Sequence, residues 1–394
     1  MTGQHLDGEH EFPATFSSAN APAPPRPRRR RILWGILTGS LIIAVGAVVH
    51  TAANLHYDDS LVAFQDAGAV AENRQIDLAA DADELDAAAA AASDIAAADS
   101  GALMPAGTRH ELDTAIAAVE TTTSDADAAT AASFPESGTK PAWTWELFAE
   151  SARLADDTTA LQERTDDFET LSEDVTDAEA SVEETALRAA QAAASAASDL
   201  EAAHVNARNP EIIAVRTAAE VVAGIAELDD GTATRYAELE AAAAAMLASE
   251  QAELAEKAGP LYGPRVEIEA FARSLAPGVL LDFDWSPTVP GYDGPSNGGW
   301  TTWWYGDPGY STIALSDYIA ESWPAEWAKA LVAHEVGHAI SVKCEAMYDS
   351  SDQDTIEAWA TAWAISMGFS DRANGTDVYG APPQSMIDAA ANCR

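Results

Sequence analysis

The longest hydrophobic segment of the chain lies close to its N-terminus. Residues 32–49, ILWGILTGSLIIAVGAVV, contain no charged side chain, and the stretch without Asp, Glu, Lys or Arg continues to Tyr57. Eighteen helical residues would span about 27 Å, close to the thickness of a bilayer's hydrocarbon core. This pattern predicts one transmembrane helix over residues 32–54, and the polar, proline-rich residues 1–31 are expected to be a disordered tail.

The charges on the two sides of this segment predict its orientation. Arg26 and residues 28–31 supply five arginines before it, whereas Asp58 and Asp59 follow it. The positive-inside rule therefore places the tail in the cytoplasm and the rest of the chain outside, as a single-pass protein of the cell membrane. A cleaved signal peptide, after which the chain is secreted, is the alternative, although its apolar region is usually shorter.

A seven-residue repeat of apolar positions marks the middle of the chain. Its members are Leu147, Leu154, Leu161, Phe168, Val175 and Val182. This spacing is typical of a coiled-coil seam, and the surrounding sequence is rich in alanine, the best helix former. We predict an acidic helical and coiled-coil stalk over residues 55–258, with a coiled-coil partner or self-association through residues 144–205. A helical linker without a partner is the alternative.

The pattern changes again at residues 259–260, after which tryptophan and proline become frequent. Residues 259–394 are long enough to bury their own core, so we predict a separate globular domain. The segment between its two predicted strands is rich in Gly, Pro and Trp and is expected to be a loop. The pattern indicates an α+β fold with a helix over 264–275, strands over 279–284 and 311–320, and helices through 331–340 and 355–368.

Charge and cysteine content exclude several classes of function. The formal net charge is −43 and the pI is about 4.2, which argues against nucleic acid as a partner because phosphate binding requires a basic surface. With two cysteines, no cysteine-rich zinc module can form. We predict that Cys344 and Cys393 form a disulfide, and two free thiols are the alternative.

The candidate chemistry lies in LVAHEVGHAI, residues 331–340. Residues four apart on a helix share a face, so His334 and His338 can direct one nitrogen each at a common ion. Glu335, beside the first histidine, can accept a proton from a water molecule at that ion. This is the His-Glu-x-x-His arrangement of zinc hydrolases, and it predicts Zn²⁺ as the cofactor. Two structural histidines on an apolar helix are the alternative.

A catalytic zinc ion usually takes three protein ligands and a water molecule. Apart from these two histidines, none follows His204, so the third ligand must be a carboxylate or a cysteine. We predict Glu357, because small residues on its helical face allow a close approach to the histidine helix. Cys344 lies on a different helical face. The alternative for Glu357 is a capping box with Asp354, in which its side chain would reach back to its own helix terminus.

The predicted strand at 311–320, HEVGH, and EAWA beginning 19 residues beyond His338 together resemble the gluzincin-type zinc metallopeptidases over about residues 305–368. The resemblance implies a zincin-like α+β domain with a small sheet, a zinc helix and a glutamate helix. It also implies His334, His338 and Glu357 as zinc ligands and Glu335 as the general base that hydrolyses a protein or peptide substrate. The strand at 311–320 would then pair with the extended substrate along an exposed edge.

One position departs from the family pattern. Many gluzincins have an aspartate four residues after the glutamate ligand, and here that residue is Thr361, so that Asp317 or a backbone carbonyl would have to orient the histidine. Tyr348 and Tyr379 are candidates for stabilising the transition state. The alternative function is a non-catalytic structural or interaction protein of the cell envelope, in which the coiled-coil stalk works and the zincin domain is a degenerate binding module. The presence of Glu335 favours the enzyme.

Overall fold

The computed structural model describes residues 28–229, 231–289, 298–306 and 309–394, with the backbone alone over residues 28–40. Most of the predicted tail, residues 1–27, lies outside the described residues. The helices are α1 (Arg28–Ala98), α2 (Ala106–Thr130), α3 (Thr144–Ala203), α4 (Asn209–Ala223), α5 (Thr232–Glu256), α6 (Tyr262–Leu275), α7 (Asp317–Ser322), α8 (Glu326–Ile340), α9 (Gln353–Ser366), α10 (Thr376–Tyr379) and α11 (Gln384–Ala390). The strands are β1 (Leu280–Ser286), β2 (Gly299–Trp304) and β3 (Tyr310–Ser316).

The first of two compact units comprises Met1–Glu72 and Ser133–Arg164. Within it, the apolar repeat at the start of α3 packs against α1, where apolar residues also recur at intervals of seven, as a coiled-coil seam requires. The buried side chains of this contact are Ala53, Tyr57, Phe64, Ala71, Leu147, Leu154 and Leu161. The repeat that the sequence identified on α3 therefore has a matching repeat on α1 of the same chain.

The second unit comprises Asn73–Ala132 and Thr165–Arg394. Its long helices continue the repeat on three chain segments. The buried members are Leu78, Leu85 and Ala92 on α1, Leu112, Val119 and Ala126 on α2, and Phe168, Val175 and Val182 on α3. Association of residues 144–205 with another chain stays a prediction, as does the boundary at residues 258–259.

The sheet of the second unit has the order β1-β3-β2, with β1 parallel and β2 antiparallel to β3. The predicted strand at 311–320 ends at Ser316, where α7 begins, and it is the central strand rather than an exposed edge. The edge next to α8 is β2, in the segment that the sequence predicted to be a loop. Its residues GWTTWW are mostly aromatic or β-branched, types that favour strands, despite the Gly-rich and Pro-rich flanks.

Helices α8 and α9 pack closely together, and α8 also packs against β2 and β3 of this sheet. A Cβ atom on Gly337 of α8 would lie 2.7 Å from the carbonyl oxygen of Ala360 on α9, so that only glycine fits there without a shift. The predicted disulfide between Cys344 and Cys393 is present, and Trp363 Nε1 donates to the Cys393 carbonyl at 2.9 Å. The disulfide therefore fixes the C-terminus to the segment that follows α8.

Two predictions about the whole chain are wrong. The predicted fold class was a zincin-like α+β C-terminal domain behind a transmembrane helix and a long helical stalk, but the described part of the chain is 73% helical with one small three-stranded sheet and is therefore predominantly helical. Among the described residues, no helix has an apolar stretch long enough to cross a membrane. The described side chains of the predicted segment begin at Leu41, and Leu41–Val49 would span only about 14 Å. The side chains of residues 32–40 lie outside those described. The predictions of a transmembrane helix at 32–54 and of a single-pass membrane protein are therefore wrong.

Candidate metal centre

Helix α8 carries three polar side chains in an apolar environment. His334, Glu335 and His338 are each 5% exposed, while Val332, Val336 and other apolar neighbours on the helix are completely buried. A polar group is rarely buried without a partner, because its lost hydration must be replaced. Since β2, β3, α6 and α9 all pack against α8, the partners of these side chains come from other elements.

The three predicted ligands meet at one point. Nε2 of His334 and Nε2 of His338 are 3.2 Å apart, and Glu357 Oε2 lies 3.3 Å from the first and 3.2 Å from the second. Zinc bonds of about 2.0–2.1 Å in tetrahedral geometry place two ligand atoms about 3.3–3.4 Å apart. The triangle of ligand atoms therefore has the size of one face of a zinc coordination tetrahedron.

The surroundings of Glu357 also fit a metal. Its Oε1 accepts a hydrogen bond from Gln353 Nε2 at 2.8 Å, whereas Oε2 is buried and accepts no directed hydrogen bond from the described residues. Burial raises the pKa of the Glu357 carboxyl, but the close contacts of Oε2 with the rings of His334 and His338 outweigh burial and lower the pKa well below its usual range. Because neither ring directs an N–H at Oε2, we favour the arrangement in which lone pairs of all three atoms converge, as a cation requires.

Thr361 determines which nitrogen of His334 faces this point. Its hydroxyl donates to the Glu357 carbonyl at 2.9 Å and lies 3.4 Å from His334 Nδ1. The hydroxyl can then accept from Nδ1–H, which leaves the lone pair of Nε2 for a metal. Asp317, which the sequence suggested for this role, instead accepts from Arg265 at 2.6 Å. The Nδ1 atom of His338 is buried and has no hydrogen-bond partner among the described residues.

Glu335 is fixed by β2. Thr301 Oγ1 lies 2.7 Å from Glu335 Oε2 and 3.2 Å from the Glu335 carbonyl oxygen. Burial raises the pKa of the Glu335 carboxyl, and the charge of His334 and the hydrogen bond from Thr301 act in the opposite direction. A carboxyl group with a raised pKa is better suited to accept a proton near neutral pH.

The site opens into a cavity of about 350 Å³. Its walls are Gly299, Trp300, Thr301 and Trp303 of β2, His334, Glu335 and His338 of α8, and Gln353, Glu357 and Tyr379. Two aromatic rings stack on the candidate ligands: Trp303 lies 5.5 Å from His338 and Tyr379 lies 5.8 Å from His334, between ring centroids. These rings restrict the orientations of both imidazoles and form part of the surface that a ligand would meet.

The structure shows which of the remaining residues that the sequence suggested lie at the cavity and which do not. Tyr379 lines the cavity, whereas the Tyr348 hydroxyl lies 2.6 Å from that of Tyr305 and its ring stacks on Trp359, away from the cavity wall. Asp352, and not Glu357, caps α9, because its side chain accepts from the Thr355 backbone N–H at 3.0 Å. Cys344 is bound in the disulfide and is not a ligand.

Sequence reasoning assigned no role at the site to five residues that line the cavity, which are Gly299, Trp300, Thr301, Trp303 and Gln353. Gln353 lies four residues before Glu357, a helical spacing that could have identified it. Gly299, Thr301 and Trp303 alternate along β2 and so share one face, but this signal is visible only if the segment is recognised as a strand.

Comparisons with models of protein families, with curated proteins and with solved structures find no match to this chain. Nothing in these comparisons identifies a gluzincin domain, so the resemblance stays a prediction from the motif residues, of which His334, His338 and Glu357 lie together in the structure.

Proposed function

We propose that the chain is a zinc-dependent metallopeptidase. The observation that carries this proposal is the largely buried triangle of His334 Nε2, His338 Nε2 and Glu357 Oε2, which has the size of one face of a zinc coordination tetrahedron. When bound there, Zn²⁺ supplies activation of a water molecule and polarisation of the scissile carbonyl group.

Glu335 is the general base in this proposal. It neighbours His334 in sequence, lines the same cavity and is buried, so its carboxylate can accept a proton from the attacking water and pass it to the leaving amine. Trp300, Trp303 and Tyr379 line the cavity around it and would exclude bulk water from the reacting groups.

The substrate class that we propose is a protein or peptide in extended conformation. In the part of the chain that the structure describes, β2 pairs with β3 along one edge, and β2 itself lines the cavity. An extended peptide can add to such a strand through backbone hydrogen bonds, which would carry its scissile bond past Glu335. In this proposal β2 pairs with the extended substrate, which is the role that the sequence analysis expected for residues 311–320.

The test is the metal content of the purified full-length chain after incubation with Zn²⁺, measured by plasma mass spectrometry. We expect about one zinc ion per chain. The Glu357→Ala variant should lose most of it, whereas Asp354→Ala, which removes an exposed carboxylate from the same helix, should not. A wild-type chain that takes up no zinc would refute the proposal.

The hydrolytic step is tested with denatured casein as a general substrate. Glu335→Gln should retain zinc and lose hydrolysis, because the amide cannot accept the proton of the attacking water. Hydrolysis that survives this substitution would contradict the assigned base. Zinc uptake without hydrolysis in the wild type would instead indicate a metal-binding interaction module.

A further inference from the structure

The edge strand β2 contacts Glu335 through two residues that face the cavity. Thr301 is 8% exposed, and its hydroxyl lies 2.7 Å from Glu335 Oε2. Gly299, two residues earlier and therefore on the same face, lies against the other end of the carboxylate. Neither residue belongs to α8, so the position of Glu335 depends on the pairing of β2 with β3.

The hydroxyl of Thr301 selects one carboxylate oxygen. It has a single proton and two acceptors within reach, Glu335 Oε2 at 2.7 Å and the Glu335 carbonyl oxygen at 3.2 Å. A hydrogen bond to a carboxylate is stronger and shorter than one to a neutral carbonyl, so the proton is expected on the Oε2 side. Oε1 is then the oxygen that remains to accept a proton from water.

Gly299 provides the space for that second oxygen. A Cβ atom at this position would lie 2.6 Å from Glu335 Cγ and 2.7 Å from Oε1, which is closer than non-bonded carbon atoms approach. Any larger residue would have to displace the glutamate side chain. Two independent contacts, one attractive and one steric, therefore define the same carboxylate position.

We propose that Thr301 and Gly299 are positioning residues for Glu335, which set its carboxylate with Oε2 anchored to β2 and Oε1 available to the reacting water. This inference rests on the proposed function, because it assigns a task to these residues through the general base. It extends that function by making the edge strand part of the proton-transfer apparatus as well as a wall of the cavity.

Binding of acetohydroxamate to the zinc-loaded full-length chain, measured by calorimetry, tests this inference without a known substrate. A hydroxamate gives up its hydroxyl proton when it chelates zinc, and Glu335 of the proposed site would accept that proton, so the affinity would report where the carboxylate lies. We expect Thr301→Val, which keeps the side-chain shape and removes the donor, to weaken binding about tenfold or more, because the Glu335 carboxylate loses the hydrogen bond that holds it in place. Zinc content should be unchanged.

Three further variants make the result specific. Thr301→Ser retains the hydroxyl and should bind the hydroxamate nearly as tightly as the wild type. Thr302→Val makes the same chemical change at the adjacent, exposed position of β2 and should have no effect. Gly299→Ala should weaken hydroxamate binding by displacing Glu335, while circular dichroism reports whether the fold is preserved.

The outcomes separate this inference from the proposed function. If Thr301→Val retains zinc and binds the hydroxamate like the wild type, or if Thr301→Ser is as impaired as Thr301→Val, the inference is wrong and the zinc site stands. Loss of zinc itself in Thr301→Val would also overturn it, because Thr301 would then support the metal site instead of the base. A wild-type chain without zinc would remove both proposals together.

Discussion

Thr361 connects the two helices that carry the candidate ligands. Its hydroxyl donates to the carbonyl of Glu357 in the preceding turn of α9 and lies 3.4 Å from Nδ1 of His334 on α8. A neutral hydroxyl can orient the imidazole, but it increases the basicity of Nε2 less than a carboxylate would. We therefore infer that Thr361 orients His334 as an aspartate would. The metal affinity of the proposed site should, however, be lower than that of sites with an aspartate at this position.

Asp282 is the residue whose ionisation should affect stability most visibly. It is 7% exposed on β1 and accepts a hydrogen bond from the backbone N–H of Asn209 at 2.7 Å. Burial is the main cause that raises its pKa to about 7, against the lowering effects of that hydrogen bond and of Arg208, while Glu253 and Asp284 raise it further. The folded state therefore retains a proton on Asp282 that the unfolded chain releases near pH 4.

Asp282→Asn should consequently be stabilising, and the size of the effect should depend on pH. Below pH 4 both states of the wild type bind the proton, and the variant gains little. Between pH 4 and 7, the Asp282 carboxyl of the wild type is deprotonated in the unfolded state but still protonated in the folded state. The free energy of unfolding of the wild type therefore falls relative to that of the variant, by roughly 4 kcal/mol at most. Urea unfolding of both proteins at pH 4.5 and pH 8 measures this difference. If the free energies of unfolding of the wild type and the variant differ by the same amount at both pH values, Asp282 is already ionised in the folded state.

At the scale of elements, the contact between α8 and α9 decides whether the third ligand reaches the first two. The backbone of Ala360 lies directly above Gly337, which occupies the position before His338 in HEVGH. Glu357 is three residues before Ala360, so the distance between the helices sets the distance between its carboxylate and the histidines. The glycine of the motif thus contributes to the geometry of the site although it has no side chain.

Gly337→Ala should separate the two helices. The new Cβ atom would lie 2.7 Å from the Ala360 carbonyl oxygen, and relief of this overlap should lower the free energy of unfolding by about 1–3 kcal/mol and weaken zinc binding. Gly107→Ala on α2, where nothing lies within 4 Å, is the control and should be neutral or slightly stabilising. Chelator competition and urea unfolding measure the two effects. Unchanged zinc affinity in Gly337→Ala would show that α9 adapts without moving Glu357.

The elements also show which parts of the site could be predicted from sequence. His334 and His338 share a helical face by spacing alone, and Glu357 lies on the next long helix, so local periodicity was enough to suggest them. Thr301 and Gly299 contact Glu335 across 34 or more residues of chain, through a strand whose flanks are rich in Gly and Pro. The packing of a strand on a distant helix is a non-local property, and no local pattern indicates which face of β2 meets α8.

At the scale of the whole molecule, the long helices were predicted in part. The seven-residue repeat on α3 identified Leu147 and its successors, which are buried, but it did not reveal the cover that α1 provides within the first unit. The repeat on α1, which includes Tyr57 and Phe64, contains alanine at other positions and is therefore weak in the sequence. The hydrophobic segment at 32–49 was assigned to a membrane from its composition, and the described part of α1 does not support that assignment.

The disulfide between Cys344 and Cys393 acts on the stability of the fold rather than on the site. It joins residues 49 apart in sequence, and in the chain-entropy model a loop of this length contributes about 4 kcal/mol. The double variant Cys344→Ser, Cys393→Ser should lower the free energy of unfolding by about 2–4 kcal/mol and leave zinc content unchanged under native conditions. Urea unfolding and metal analysis test this pair of expectations. Loss of zinc would show that the disulfide also orders α8.

The contact between α8 and α9 has a consequence for the order in which the molecule assembles. All three candidate ligands lie within residues 334–357, on two helices that are neighbours in sequence, whereas Glu335 meets Thr301 of β2 across 34 residues of chain. Contacts between near residues form earlier than contacts that close long loops. If the chain binds zinc as proposed, we therefore expect a partly folded chain to bind the ion before Glu335 is positioned for hydrolysis.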